Sequence, residues 1–389
     1  MTQSIVRSLE KRQINNRLSP ENFVKVNYFN ESMLKRFKVE HKIELEFKTS
    51  DDLVHNGSWN CDGTLLGCGK VGRGVEIYKP FKTDKKLTTI PVCQNHYLTD
   101  VLFMPNNNNL MTVSSRNKSN FFFWNTSPNI VIDSYIKVWD ISKNIITRTY
   151  GFKGPFTKTA TSTALPNQIW FNTDNRTQAI AEADIRSPLY KTIRLGPVQC
   201  DSLVYRRCFD VHPVDGVTIA VGDRNKLLFY DRRTMTSQRV ARPSQSFDFS
   251  TLIKENSYII QVKYDPCGRS IILTNSLTQD HYVLSLSNPS LDEMKLFSHK
   301  DSSAFSSRTR NLSFLGDKHV LFDKNFRNYA VVFDLETAKF VGKIEVSHQS
   351  NIFSNTYSMP HPTYCMIAAT NHKVINFVSP TSLSCEYLE

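Results

Sequence analysis

The sequence lacks several features that mark common classes of protein. It has no run of about 18 apolar residues, which excludes a transmembrane helix. Its first residues, MTQSIVRSLEKRQINN, lack the apolar stretch of a signal peptide, so we expect an intracellular protein of the nucleus or cytoplasm. The eight cysteines form no CxxC pair, which argues against zinc and favours reduced thiols. No HExxH motif or Ser-His-Asp order stands out, so we expect neither enzymatic activity nor a cofactor.

Acidic residues are outnumbered by basic ones. The chain has 48 Lys and Arg against 36 Asp and Glu, a net charge of +12. Such a balance occurs in proteins that bind nucleic acid. Here the basic residues are spread along the chain without a long basic run. This spread favours an acidic protein partner, or a surface that only keeps the protein soluble, over nucleic acid.

Short segments rich in β-branched and aromatic residues recur along the chain. They start roughly 44 to 61 residues apart, which is the period of four-stranded propeller blades with insertions. We therefore predict an all-β protein with a single seven-bladed WD-repeat β-propeller over residues 43–389. Each segment is the predicted third strand of a blade: VEIYK (75–79), IKVWD (136–140), AEAD (181–184), LLFYD (227–231), YVLSL (282–286), AVVFD (330–334) and VINFV (374–378).

A strand, a tight turn and a second strand precede several of these segments, as in FDVHPVDGVTIAVG (209–222). His212-Pro213 and His361-Pro362 lie in such turns, and we expect them to shape the turns rather than to catalyse a reaction. The glycine-rich GKVGRG (69–74) lies between two predicted strands and no helix follows it, so it predicts a turn rather than a phosphate site.

Residues 1–42 have a different pattern from the repeats. Ser19-Pro20-Glu21 offers an N-cap, a proline at the first helical position and an early acid. Ile5 and Leu9, and then Met33 and Phe37, are four residues apart, which predicts two short amphipathic helices. We therefore predict a helical N-terminal extension over residues 1–42.

Two consecutive predicted blades end in Asp-x-Arg. AEADIRSP places Asp184 and Arg186 after one third strand, and FYDRRTM places Tyr230, Asp231 and Arg233 after the next. An Asp at a strand end can hold the turn by accepting backbone N–H bonds. The Arg two residues later offers a planar fork of five donors for a partner's carboxylate or carbonyls. The alternative is that both arginines pair only within their own blades.

These endings resemble the Trp-Asp-x-Arg motif of WD-repeat substrate receptors of cullin-4 ubiquitin ligases. Together with the lead-in before the first blade and segments such as HNGSWNCDGTLLGCG (55–69), they resemble the cullin-4-associated factors five, six and eight. The resemblance implies docking on the adaptor damaged-DNA-binding protein 1 through Asp184, Arg186, Tyr230, Asp231 and Arg233. It also implies that the N-terminal extension adds a second adaptor contact. The aromatic position of the first motif is Ala183, so we expect Arg233 to contribute more than Arg186.

The resemblance implies the substrate-recognition subunit of a cullin-4 RING ligase, which presents an unidentified protein target for ubiquitination. Two alternatives remain open from the residues alone. One is a generic WD-repeat scaffold for protein interactions. The other is a basic propeller that binds nucleic acid or chromatin.

An insertion at residues 114–132 lengthens the connection between the second and third strands of the second blade. It carries four consecutive aromatic residues, Phe121, Phe122, Phe123 and Trp124. One interpretation is an extra hairpin that packs these rings on its own blade. The other is an aromatic anchor for a protein partner, since exposed aromatic clusters supply binding hot spots.

Overall fold

A computed structural model describes most of the chain from residue 34 to residue 380. The ranges it describes are 34–35, 37–45, 54–70, 74–80, 86–91, 96–105, 109–115, 133–153, 158–174, 179–195, 208–236, 239–252, 257–276, 280–297, 312–323, 329–346, 356–362, 366–371 and 374–380.

The described strands form seven antiparallel sheets of four strands each, which are the blades of a propeller. Blade 1 contains β2 Val54–Trp59, β3 Leu66–Lys70, β4 Gly74–Tyr78 and β5 Lys86–Pro91. Blade 2 contains β6 Tyr97–Phe103, β7 Asn109–Ser115, β8 Asp133–Asp140 and β9 Ile145–Lys153. Blade 3 contains β10 Thr159–Ser162, β11 Leu165–Asp174, β12 Ala179–Asp184 and β13 Tyr190–Arg194.

Blades 4 to 7 follow the same plan. Blade 4 contains β14 Cys208–Val211, β15 Thr218–Asp223, β16 Lys226–Asp231 and β17 Gln245–Asp248, and blade 5 contains β18 Ile259–Tyr264, β19 Ser270–Asn275, β20 His281–Ser285 and β21 Lys295–Leu296. Blade 6 contains β22 Leu312–Leu315, β23 His319–Asp323, β24 Tyr329–Asp334 and β25 Phe340–Glu345. Blade 7 contains β26 Thr356–Pro360, β27 Ile367–Asn371, β28 Val374–Pro380 and β1 Phe37–Glu44. Two short 3₁₀ turns span Arg232–Thr234 and Leu291–Glu293.

The four strands of each blade are called a, b, c and d from the centre of the ring outward. Strand a contacts strand a of a neighbouring blade in most pairs, for example β2 with β6 and β14 with β18, so these strands surround the centre. Strands b and c are buried along most of their length, whereas strand d alternates between exposed and buried residues, as in β25. All seven predicted repeat segments form strand c, so the predicted seven-bladed fold is confirmed.

The ring closes through the first described strand of the chain. β1 is strand d of blade 7 and pairs with β28, with Phe37 opposite Pro380 and Ile43 opposite Ile375. The predicted helical extension is therefore wrong for residues 37–42. Phe37, Val39 and Ile43 fit the two-residue period of a strand, and the free edge of β28 offers a full set of backbone partners.

The apolar core lies between blades rather than within them. Within the described residues, seven buried clusters each join two neighbouring blades. The cluster at the closure packs Trp59 of blade 1 against Phe377 of blade 7, with ring centroids 6.1 Å apart. Trp59 Nε1 also donates to the carbonyl oxygen of Met359 at 2.9 Å, so closure combines apolar burial with a buried hydrogen bond.

The antiparallel order of the strands divides the turns between two faces. The a–b and c–d turns lie at one end of the strands, which we call the c–d face, and the b–c turns lie at the opposite end, the b–c face. Of the segment GKVGRG, Gly69 and Lys70 end β3 and Gly74 begins β4, and residues 71–73 lie outside the described residues. Ser114 and Ser115 are the last residues of β7, and β7 ends and β8 begins at the b–c face; residues 116–132 of the insertion lie outside the described residues.

Candidate functional site

Both Asp-x-Arg endings form c–d turns, in blades 3 and 4, and therefore lie on the same face of the propeller. Asp184 is the last residue of β12, and Asp231 is the last residue of β16. Each carboxylate accepts a hydrogen bond from the backbone N–H of the arginine two residues later, at 2.9 Å in both turns. The aspartates therefore hold their turns as predicted.

Each guanidinium folds back on the aspartate of its own turn. Arg186 donates from Nε to Asp184 Oδ1 at 2.9 Å and from Nη2 to Oδ2 at 2.6 Å. Arg233 donates in the same way to Asp231, at 3.0 Å and 2.7 Å. These side-chain hydrogen bonds hold the pKa of both aspartates below the ordinary value. The arginines thus pair within their own blades, with the same geometry in both.

The two pairs leave the arginines largely in solvent. The side chains of Arg186 and Arg233 are 72% and 73% exposed. The fork uses two of the five N–H donors of each guanidinium, and the other three donate to no other described residue. Each turn therefore presents an oriented guanidinium with donors that a partner can reach.

The aromatic position of the motif faces the core. Tyr230 is 1% exposed and packs between blades 3 and 4, and its counterpart Ala183 is also 1% exposed, between blades 2 and 3. The expectation that Tyr230 contacts a partner is therefore corrected. Residues of strand c are covered by the neighbouring blade, so this position serves blade packing.

The c–d turn of blade 3 is fixed by strand d of blade 2. The Tyr150 hydroxyl lies 3.0 Å from the carbonyl oxygen of Asp184 and 2.8 Å from that of Ser187, and its single proton is shared between these two acceptors. Arg148 Nη2 donates to the carbonyl oxygen of Arg186 at 2.8 Å. The turn that carries Arg186 is therefore held on both sides of the arginine.

The c–d turn of blade 4 is fixed by blade 3 in a related way. Lys191 Nζ, on strand d of blade 3, donates to the carbonyl oxygen of Met235 at 2.8 Å. Arg232 Nε donates to Glu182 Oε1 of strand c at 2.8 Å. Of two adjacent arginines, Arg232 therefore joins the blades and Arg233 points outward. The sequence motif does not distinguish these two roles.

In two further blades an aspartate also ends strand c, but no arginine stands two residues after it. Asp140 accepts from the hydroxyl of Ser142 at 2.5 Å and from the backbone N–H of Lys143 at 3.2 Å. Asp334 accepts from the backbone N–H and the hydroxyl of Thr337, at 2.7 Å and 2.8 Å. An aspartate at this position therefore stabilises the c–d turn in four blades, whereas the Asp-x-Arg ion pair is found in blades 3 and 4.

Apolar side chains are exposed where strand d begins, at the rim of the c–d face. Leu189, next to the turn of Arg186, is 77% exposed. The group is found in blades 1, 2, 3, 5 and 6 and consists of Leu87, Ile145, Ile146, Leu189, Tyr190, Leu296 and Phe340. Sequence reasoning missed these residues because strand d has the weakest pattern of the four.

Other predicted elements lie outside the described residues. These are Phe121, Phe122, Phe123 and Trp124 of the insertion, and residues 1–33 of the N-terminal extension. Among the residues that the structure describes, no group of three or more His, Cys, Asp or Glu side chains is arranged to hold a metal ion. The same part of the chain contains no helix long and apolar enough to cross a membrane.

Comparison with known proteins identifies the fold. No protein-family model matches the chain, and no curated protein sequence matches it. A chain in the crystal structure of the mitotic checkpoint complex is 11% identical, with a TM-score of 0.60 over 92% of this chain and 99% of that chain. The β-propeller domain of Cps50 (Swd1) from Myceliophteria thermophila is 15% identical, with a TM-score of 0.62 over 89% of this chain and 100% of that chain. At these identities the likeness shows a WD-type propeller fold.

Proposed function

We propose that this chain is the substrate-recognition subunit of a cullin-4 RING ubiquitin ligase. In this proposal the c–d face binds the adaptor damaged-DNA-binding protein 1, and the b–c face binds the target protein. The observation that carries the proposal is the matching geometry of Arg186 and Arg233 in adjacent blades. Two oriented, exposed arginines on one face supply two equivalent contacts for a single partner.

The Asp pairs support binding because they orient the arginines in advance. A free arginine loses side-chain entropy when a partner fixes it, and a pre-ordered one loses less. The remaining donors of Arg186 and Arg233 suit backbone carbonyls or a carboxylate of the partner. Leu189 and Tyr190 lie three and four residues after Arg186 and add exposed apolar area beside it, as protein interfaces require.

Adaptor and target need separate surfaces, and the presence of two opposite faces, c–d and b–c, supports this part of the proposal. The aromatic insertion with Phe121 to Trp124 joins β7 to β8 at the b–c face, so we assign it to the target. The second adaptor contact inferred from the family resemblance falls to residues before Phe37, because β1 is part of blade 7. Two modest contacts on one chain raise affinity through effective concentration.

The test is capture of the purified full-length chain by purified adaptor. We expect the wild-type chain to be retained and the Arg186→Glu, Arg233→Glu double variant to be lost, because charge reversal repels the groups that the arginines bind. Lys226→Glu is the matched control, because Lys226 is 51% exposed and begins β16 at the opposite end from Asp231.

Two outcomes separate the receptor from the generic scaffold. If the folded double variant is retained as well as the wild-type chain, the arginines do not dock the adaptor. If the wild-type chain itself is not retained, the receptor function is wrong and the generic scaffold replaces it. A circular dichroism melt of each variant establishes that it is folded.

A further inference from the structure

The c–d face contains a large groove over blades 4, 5 and 6, and blade 4 also carries one of the two Asp-x-Arg pairs. Its volume is about 1220 Å³, and it is walled by the a–b turns of blades 4 to 6 and the c–d connections of blades 5 and 6. Pockets for small ligands occupy about 300–1,000 Å³. The groove is therefore large enough for a segment of polypeptide.

The groove is acidic although the chain as a whole is basic, with a net charge of +12. Among the described residues, three cationic side chains line it, Arg269, Lys295 and Lys318. Seven carboxylates of the same described part line it as well: Asp215, Asp265, Asp292, Glu293, Asp317, Asp334 and Glu336. They come from five different turns, so the fold gathers them where the sequence shows no acidic run.

Several of these carboxylates keep their charge available to a ligand. Asp292, Asp317 and Glu336 form no ion pair with any described residue. Lys295, the nearest cation in sequence to Asp292, donates from Nζ to the carbonyl oxygen of Glu336 at 2.6 Å instead of pairing with a carboxylate. Burial raises the pKa of Asp265, and the nearby Asp317 carboxylate adds a smaller effect in the same direction.

A second, independent observation comes from Tyr264 in the wall of the groove. Tyr264 is 4% exposed, and its hydroxyl has no hydrogen-bond partner among the described residues. Its ring packs edge-on against His212, with centroids 5.0 Å apart, so the side chain is held in place. A buried hydroxyl without a partner is destabilising, and a donor from a bound ligand would satisfy it.

We propose that this acidic groove binds an extended segment of a partner protein rich in arginine and lysine. The carboxylates of Asp292, Asp317 and Glu336 pair with the cations of the segment, and the Tyr264 hydroxyl accepts a hydrogen bond from one of them. Blade 4 contributes both Arg233 and part of the groove wall, but Asp292, Asp317 and Glu336 lie in blades 5 and 6, and the proposal does not depend on the ligase function. Nucleic acid is excluded as the occupant by its own negative charge.

The test uses fluorescence anisotropy with a labelled short peptide of alternating arginine and serine. A chain with a net charge of +12 repels such a peptide on average, so binding reports a local acidic site. We expect saturable binding that weakens with salt, and no binding of the same peptide with glutamate in place of arginine. The Asp292→Asn, Asp317→Asn, Glu336→Gln variant should bind about tenfold more weakly, because it lacks three carboxylates that pair with the cations of the peptide.

The matched control removes the same charge elsewhere. Glu40, Glu44 and Glu345 are exposed carboxylates on strands d of blades 6 and 7, outside the groove. The Glu40→Gln, Glu44→Gln, Glu345→Gln variant should bind the peptide as the wild-type chain does. The proposal would be overturned if the groove variant bound the peptide as tightly as the wild-type chain, or if the control variant lost as much affinity as the groove variant. If the triple groove variant does not fold, Glu336→Lys alone provides the same comparison.

Discussion

The imidazole Nε2 of His361 lies 3.0 Å from the carbonyl oxygen of Gly63, so the a–b turn of the last blade is joined to that of the first. The same contact recurs between blades 4 and 5, where His212 Nε2 lies 3.0 Å from the carbonyl oxygen of Gly268. Each imidazole also packs edge-on against an aromatic ring, Trp59 in the first case. The two His-Pro turns therefore join neighbouring blades, which agrees with the turn role predicted for them.

Folding stability should depend on pH through His361. Burial lowers the pKa of His361 from 6.5 to about 4, so between these values the unfolded chain binds a proton that the folded chain does not. The free energy of unfolding should therefore fall as pH drops from about 6.5 to about 4, by up to about 3 kcal/mol. Urea denaturation at several pH values measures this change.

His361→Gln is the variant that isolates the effect, because glutamine can still donate to Gly63 but does not titrate. We expect it to be less stable than the wild-type chain at pH 7 and to lose less stability on acidification. A variant that loses as much stability as the wild-type chain between pH 6.5 and pH 4 would assign the pH dependence to other groups.

Gly63→Ala should destabilise the closure of the ring. Gly63 has a φ of +73°, which an alanine adopts only with strain. An added Cβ would also lie 2.0 Å from Cε1 of His361, which cannot retreat easily because Trp59 packs against it. We expect a loss of about 2 to 3 kcal/mol in the free energy of unfolding, measured by urea denaturation.

Gly151→Ala is the control for that substitution. Gly151 lies in β9, and an added Cβ there would come no closer than 3.2 Å to the ring of Tyr135. We expect a change of less than about 1 kcal/mol, because Gly151 is exposed and only the partly exposed Tyr135 ring has to shift, by a few tenths of an ångström. Equal losses in the two variants would show that Gly63 has no special role in closure.

The third strand of every blade could be predicted from the sequence, and the fourth strand mostly could not. Strand c is covered on both sides by neighbouring blades, so its apolar residues form continuous runs such as AVVFD. Strand d is half exposed, and its sequence resembles that of many other elements. β1 illustrates this: the four-residue spacing of Met33 and Phe37 indicated a helix, whereas the alternation of Phe37, Val39 and Ile43 fits the observed strand.

The candidate site could be located from the sequence but its geometry could not. The Asp-x-Arg spacing indicated Asp184, Arg186, Asp231 and Arg233 correctly as turn residues. Whether Arg232 or Arg233 points outward depends on Glu182, which is 50 residues away in the chain and reaches Arg232 only in the folded propeller. The acidic groove could not be foreseen for the same reason, because each turn contributes only a few of its carboxylates.

Arg232 and Arg233 should differ in their effect on stability. Arg232 is 25% exposed and pairs with Glu182, whose side chain is 10% exposed, so Arg232→Ala leaves a mostly buried carboxylate without this partner. We expect a loss of about 1–3 kcal/mol. Arg233→Ala removes a solvent-screened pair with Asp231 and should leave stability nearly unchanged. Thermal melts of both variants measure this difference. Similar melting temperatures for the two variants would contradict the prediction.

Deleting residues 116–132 should leave adaptor capture unchanged if the proposed faces are right. The deletion shortens the connection between β7 and β8 at the b–c face, whereas Arg186 and Arg233 lie on the c–d face. Replacing the segment with a short glycine-serine linker keeps the two strands paired. Capture by purified adaptor provides the measurement. Loss of capture by a folded deletion variant would show that the adaptor contacts the b–c face.

Single substitutions of the paired arginines should weaken adaptor capture by similar amounts. The sequence alone favours a larger role for Arg233, because the first motif has Ala183 at its aromatic position. The structure buries that position in both motifs and gives both guanidinium groups the same fork and the same exposure. We therefore expect Arg186→Ala and Arg233→Ala each to cost about 2–5 kcal/mol of binding free energy, or roughly 30-fold to several-thousand-fold in affinity. Titration of each variant against the adaptor, with Lys226→Ala as control, measures the ratio of its dissociation constant to that of the wild-type chain. A loss confined to Arg233 would mean that the aromatic residue before the Asp affects docking in a way that the turn geometry does not explain.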